Sequence, residues 1–275
     1  MDITVTGNEA TVYISYGEQI EEILDVTTKL GSAQKIRVVA EAKSSATLLT
    51  SDRGSWEIEV SEGAKLLQII TPTDGEGSAE QTIEVFQAKE SRYESVRITA
   101  PHELSTDKTI VHLGGEAATC EVRGLFIGSG SNKHESSVIM RHEKRGCSSS
   151  SLFKAIASDT SYGKFNGMVY VAKGASQTDA QQQFKSLLLS DTARIQTEPQ
   201  LEIYNDDVVC SHGATVGQLD EVQLFYLESR GFDPITAKKM LIESFAAEVV
   251  SLVPDETIQK ELLNRVHQQV VAVSK

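Results

Sequence analysis

Cysteine is scarce in this chain: three among 275 residues, at positions 120, 147 and 210. An odd and widely spaced set argues against a disulfide framework and for a reducing compartment. No run approaches the ~18 consecutive apolar residues of a membrane-spanning helix. The opening residues, MDITVTGNEA, have neither a basic n-region nor an apolar h-region, so no secretory signal is expected and a cytoplasmic location is. Basic charge is also short: 26 Lys and Arg face 39 Asp and Glu, a formal net charge of −13. That balance argues against nucleic-acid binding, which needs clustered Lys and Arg. The densest basic stretch, Arg141 to Arg145, is interrupted by Glu143 and reads as a solvated strand end.

The usual catalytic signatures are missing too. Without a GxxxxGK[ST] phosphate loop the chain should not bind ATP through that motif, and Gly128-Ser129-Gly130 reads as a turn. There is no GxSxG elbow, no HExxH and no CxxC pair. Asp206-Asp207 is the nearest approach to a carboxylate pair. Neighbours on a strand point to opposite faces, so the two cannot act together. No enzyme is expected.

What the chain does have, up to about residue 217, is a succession of short β-like runs. KIRVVA (35–40), SWEIEV (55–60), LLQII (66–70), TIEVF (82–86) and SVRIT (95–99) are followed by 109–113, 120–127, 137–140, 152–156, 168–171 and 200–204. Most place β-branched residues at alternate positions. Residues 18–30 suit either a short helix or a strand. So many strands with few helices between them mean a mainly β body, whether sandwich, barrel or solenoid. Gly124 and Gly167 each precede an apolar run, 43 residues apart. Two solenoid coils of about 20 residues with glycine at a corner would give that spacing, and chance recurrence in a sandwich would as well.

The pattern changes after Gly217. Residues 218–229 read as a helix ended by Gly231 at the C′ position. Asp233-Pro234 then supplies a cap and a first-turn proline. Ile235, Met240, Leu241, Phe245, Val249 and Leu252 form an apolar stripe. Val253-Pro254-Asp255 breaks that helix and caps a last one at 256–272. The expected organisation is a β body over 1–217 and a helical domain over 218–275.

Cys210 and His212 sit two residues apart on an apparent strand, so they share a face. Sulfur and imidazole on one rigid face can hold a transition metal or an iron–sulfur intermediate, although two ligands do not close a site. Taken alone, a strand cysteine is a small hydrophobe and a histidine beside a glycine turn is a hydrogen-bonding group. His134 and His142 resemble surface strand positions. Cys120 faces a core, and Cys147 sits in a turn.

An ordered series over residues 124–253 adds to this reading. It runs through FKAI (153–156), FNG (165–167), SQTDA (176–180), LLLSD (187–191), TEPQLEI (197–203), DDV (206–208), CSHGATVG (210–217), LFYL (224–227) and SRG (229–231). This series resembles the core of the SufB/SufD family of iron–sulfur cluster assembly proteins. The resemblance implies a right-handed parallel β-helix followed by a small helical C-terminal domain. It implies a non-catalytic scaffold that binds an ABC-type ATPase (SufC) through the helical tail. A SufB-like subunit or a second identical protomer would meet it through the β-helix. Gly213 stands where SufB-like chains carry a glutamate, and Ala193 where they carry a cysteine, so the chain resembles the SufD side. Family members usually have an extension before the β-helix, and this sequence begins almost directly with it.

Under that resemblance Cys210 and His212 are candidate ligands for a transient iron–sulfur cluster shared at a protomer interface, with binding that weakens as pH falls. Phe225, Arg230, Met240, Leu241, Phe245 and Val249 are candidate partner-binding residues, the helical stripe serving as core, docking face or both. The rival expectation is a structural or regulatory β-helix that binds the ATPase without touching metal.

Overall fold

The structure is a computed structural model that describes residues 1–72, 77–99 and 102–273. The chain opens with a hairpin, β1 (Asp2–Thr6) and β2 (Glu9–Ile14), then β3 (Gln19–Asp25) and a single helical turn, α1 (Thr27–Leu30). β4 (Lys35–Ala40), β5 (Ser45–Ser51), β6 (Gly54–Val60), β7 (Lys65–Thr71) and β8 (Ser78–Gln87) follow. The strands then settle at about ten residues: β9 (Arg92–Thr99), β10 (Leu104–Leu113), β11 (Thr119–Gly128), β12 (Lys133–His142) and β13 (Ser148–Ala157). β14 (Tyr162–Val171), β15 (Thr178–Leu188), β16 (Arg194–Ile203) and β17 (Val208–Gly217) complete the β body. Helices α2 (Glu221–Ser229), α3 (Pro234–Val250) and α4 (Glu256–Val273) end the chain.

From β2 onward consecutive strands alternate between two sheets, and each pairs in parallel with the strand two places away. Sheet A runs β1-β2-β4-β6-β8-β10-β12-β14-β16, and sheet B runs β17-β15-β13-β11-β9-β7-β5-β3. This is a parallel β-solenoid, and among the described residues only the β1–β2 pair is antiparallel. Burial alternates along most strands, as in β8 and β14, because every second side chain enters the lumen between the sheets.

One corner repeats up the whole stack. Lys43, Gly63, Glu90, Ala117, Gly146 and Gln177 all have φ between 55° and 72°. Each donates its backbone N–H to a carbonyl one coil further on: Lys43 to Glu62, Gly63 to Lys89, Glu90 to Glu116, Ala117 to Arg145, Gly146 to Ser176 and Gln177 to Asp207. Register with the next coil therefore selects a left-handed residue here even where the side chain disfavours it.

Several details differ from the sequence reading. The coil length is not constant: Ala46 pairs with Leu66, twenty residues on, whereas Ala180 pairs with Cys210, thirty residues on. Gly124 lies on sheet B and Gly167 on sheet A, both in mid-strand, so their 43-residue separation is not two coils and neither marks a corner. Each instead leaves room for an aromatic ring. A Cβ on Gly124 would meet Phe153 at 2.5 Å, and one on Gly167 would meet Phe184 at 2.6 Å. His134 and His142, expected at the surface, are buried, because their register positions point into the lumen. Residues 18–30 form both β3 and α1.

The lumen holds a continuous apolar core, with Phe126, Phe153, Phe165 and Phe184 in a column through which His134 is threaded. A polar group is buried beside it. His134 Nδ1 meets Ser105 Oγ at 2.8 Å, its Nε2 lies 3.3 Å from Asp107, and Asp107 lies 3.5 Å from Arg97 Nε. Burial holds the His134 ring well below its ordinary value, to about 4.

A second core lies outside sheet B. Leu125, Ile127, Ile156 and Leu187 face outward, and Ile242, Ala246, Val249 and Val250 of α3 with Leu262, Val266 and Val270 of α4 cover them. The helical segment thus shares its core with the solenoid. The expected caps at Asp233, which accepts from Ile235 and Thr236, and Gly231, with φ +94°, are in place, but α2 starts at Glu221 and not at 218, because Asp220 caps it by accepting from Val222 and Gln223. Among the described residues no helix is long and apolar enough to cross a membrane.

Candidate functional site

β16 and β17 are the last strands of sheets A and B, so the solenoid ends on two unpaired edges and an uncovered lumenal layer. On β15 the inward residues are the buried ones: Thr178, Ala180, Gln182 and Phe184. Cys210 pairs with Ala180, His212 with Gln182 and Ala214 with Phe184. Residues paired in register across a parallel sheet share a face. Cys210 and His212 are therefore lumenal residues of an end coil that no other described residue covers. Cys210 remains half-buried and His212 is exposed.

The surroundings of the two residues differ. Burial, followed by the nearby Asp179 carboxylate, raises the Cys210 thiol above its ordinary value. A metal or a positively charged group would be needed to draw off that proton at neutral pH. Beneath His212 lies Gln182, 2% exposed, whose side-chain oxygen has no hydrogen-bond partner among the described residues. Across the lumen β16 completes the end layer: Ile195, Thr197, Pro199, Leu201 and Ile203 pair with the lumenal residues Gly163, Phe165, Gly167, Val169 and Val171. The end of the solenoid is thus an apolar layer containing a thiol and an imidazole. Among the described residues no three His, Cys, Asp or Glu side chains gather into a metal-holding group.

The other candidate ligands are elsewhere. Cys120 is buried on β11, and burial pushes its thiol up. Cys147 is buried beside its turn, with Sγ 3.1 Å from the Gly115 carbonyl. Asp206 and Asp207 are not strand residues; they form the bend between β16 and β17.

The candidate partner-binding residues divide into three groups. Phe225, 71% exposed, and Arg230 lie on or just after α2, a helix with no buried residue, together with exposed Val222 and Tyr226. Met240 is exposed at 38%, and Leu241 and Phe245 are half-buried. Val249 is fully buried against sheet B and is not available as a docking residue in this arrangement. The expected stripe therefore needs correction. The buried side of α3 is Ala237, Ile242, Ala246, Val249 and Val250, while Ile235 is 67% exposed. Alanines on the packing face let the helix approach the sheet closely, and a stripe drawn through large residues alone misses them.

Sequence reading also missed Lys154 and Glu248, which join α3 to sheet B at 2.5 Å. The signal was a lysine inside the apolar run LFKAIA, which needs a partner wherever both faces of a strand are covered.

The family model for the SufBD core domain of SUF-system iron–sulfur cluster assembly matches residues 23–245. The chain is 40% identical over 161 residues to the iron–sulfur cluster assembly protein SufD of Escherichia coli, covering 58% of this chain and 38% of that protein. It is 34% identical over 208 residues to a SufBD-family protein of Synechocystis, covering 75% and 46%, respectively. With SufD of Bacillus subtilis it shares 31% over 159 residues, covering 58% and 36%. The matched stretch thus spans less than half the length of these relatives. With the solenoid, its open end and the family match over most of its length, the chain belongs to the SufBD family of the SUF iron–sulfur cluster assembly system.

Proposed function

We propose that this protein is a non-catalytic scaffold subunit of a SUF-type assembly complex, working in the cytoplasm and handling a nascent iron–sulfur cluster as cargo. One observation carries the reading: Cys210 and His212 face the lumen of an end coil that the described residues leave open. A second protomer, SufB-like or identical, pairing there would cover the apolar layer and bring further ligands to the same place. His212 would donate an imidazole nitrogen to iron, and Cys210 a thiolate once its proton is displaced. ATP hydrolysis belongs to an ABC-type ATPase, which would dock on the exposed side of the tail formed by Phe225, Arg230, Met240 and the flanks of Leu241 and Phe245.

The test is co-purification of the full chain with a candidate ABC-type ATPase, then anaerobic iron–sulfur reconstitution of wild type and His212→Ala. Cluster absorbance that drops in the variant while ATPase binding is kept supports the ligand role. Unchanged occupancy removes that role and leaves a scaffold that binds the ATPase without metal. Failure to bind any ABC-type ATPase overturns the complex itself.

A further inference from the structure

Sheet B meets α3 through an apolar interface with a polar seam, and the seam is concentrated on the last two turns of the helix. Lys154 on β13 is 3% exposed at its side chain, and its Nζ lies 2.5 Å from Glu248 Oε2. The same ammonium donates to the Phe245 carbonyl at 2.6 Å and sits 4.2 Å from the centre of the Phe245 ring. Lys185, paired with Lys154 on the neighbouring strand β15, reaches the other Glu248 oxygen at 3.5 Å. From β11, Arg123 donates to the Glu248 carbonyl at 2.9 Å and to Ser251 Oγ at 2.8 Å. Three strands thus send three cations to residues 245–251, the last two turns of α3 and its cap. Carbonyls of the final turn, that of Glu248 among them, are short of helical partners, and the helix dipole favours positive charge.

A cleft of about 460 Å³ opens directly beside the seam. Its sheet wall includes Lys154, Ser186 and Thr215, and its helix wall includes Gln223, Leu241 and Glu248. Lys185 pairs with Thr215, three residues after His212 on the same strand. The seam and the open edge are therefore one strand apart.

We infer that Glu248, gripped by Lys154 and Lys185, is a clasp that fixes α3 on sheet B and couples the seating of the helical tail to strand β17. Two ammonium groups share one carboxylate, so removing that carboxylate strands a buried charge instead of relieving one. Lys154 is buried while the Glu248 side chain is 48% exposed, so the cost of losing the carboxylate falls on the one buried ammonium, and replacing both residues by apolar groups removes that charge. This makes the seam a two-position device: seated with the pair intact, loosened without it. The cleft gives the α2 end of the tail room to move when the clasp opens. Coupling to a partner rests on the docking role proposed above; the clasp itself does not.

Hydrogen–deuterium exchange on the full chain, with no ATPase and no cluster, tests it. In Glu248→Gln, amides of α3 are expected to exchange at least 10-fold faster, and those of 208–217 to speed up with them. The lumenal strands β9 to β12 should keep wild-type rates. The double variant Lys154→Met/Glu248→Leu should restore slow exchange in both segments. Wild-type rates at α3 in Glu248→Gln would overturn the clasp. Faster exchange at α3 without change at 208–217 would overturn the coupling. A uniform rise along the chain would overturn both, since it reports lost global stability. None of these outcomes depends on whether the protein handles iron–sulfur clusters.

Discussion

A β-carbon added to Gly167 would stand 2.6 Å from Cζ of Phe184, well inside contact distance. The glycine's value here is the space it leaves for the ring, since its φ lies outside the left-handed region. Gly167→Ala should therefore overpack the lumen and destabilise by about 1–3 kcal/mol. Urea unfolding would show a lower midpoint at unchanged slope. Combining it with Phe184→Leu should recover part of the loss, and the double-mutant cycle measures how much.

The buried histidines predict acid sensitivity. Burial lowers both His134 and His142 to about 4, against an ordinary value of 6.5. Between those values the unfolded chain binds protons that the folded chain does not, so stability falls as pH drops from about 6.5 towards 4. Each ring contributes up to about 3 kcal/mol across that window, at roughly 1.4 kcal/mol per pH unit. Unfolding midpoints measured from pH 7.5 down to pH 5 should decline, and His142→Gln should flatten the decline.

At the repeated corner, Ala117 has φ +56° and still donates to the Arg145 carbonyl. Ala117→Gly keeps that hydrogen bond and removes the Cβ strain. It should stabilise by about 1 kcal/mol, a rise of a few degrees in Tm by calorimetry.

Phe225 and Val249 were grouped together by sequence and should now behave oppositely. Phe225→Ala should leave thermal stability unchanged while weakening capture by an ABC-type ATPase. Val249→Ala should cost about 1–2 kcal/mol of stability through lost packing on sheet B.

Leu201 projects into the uncovered end layer. Leu201→Lys should leave the monomer folded, because the position is not closed over, and should abolish pairing through the open end. Analytical ultracentrifugation of the protein with a SufB-like subunit, or at high concentration alone, reads the difference.

How much of this was legible in the sequence depended on which way each strand half faced. KIRVVA and TIEVF were found because their inward residues are aliphatic and give a clear period of two. The starts of β10, β12 and β13 were missed because Ser105, Asp107, His134, Ser136, Ser149 and Ser151 fill the same lumenal positions. A lumen lined with polar side chains leaves no apolar alternation to read. β15 escaped for the same reason, since TDAQQQF buries Gln182. Cys210 and His212 were correctly placed on one strand face. That this face looks into an unfinished coil follows only from register with Ala180 and Gln182, which no local spacing encodes. The caps at Gly231, Asp233 and Asp255 were legible, being local chemistry, although Asp220 was passed over and α2 begun three residues early; the packing face of α3 was not legible, being set by the sheet beneath it.

The two ends of the stack are not equivalent. At the first end β1 crosses in the reverse direction, and Met1 and Ile3 pack onto the lumenal core. The first strand of sheet B, β3, joins its neighbour with a register shift between Gln19 and Ile23. At the other end β16 and β17 lie on the two sheets of the same coil, so a chain pairing there would add to both sheets at once. Two copies meeting through these edges would be related by a two-fold axis, which sets each edge strand antiparallel to its own counterpart and buries both end layers against one another.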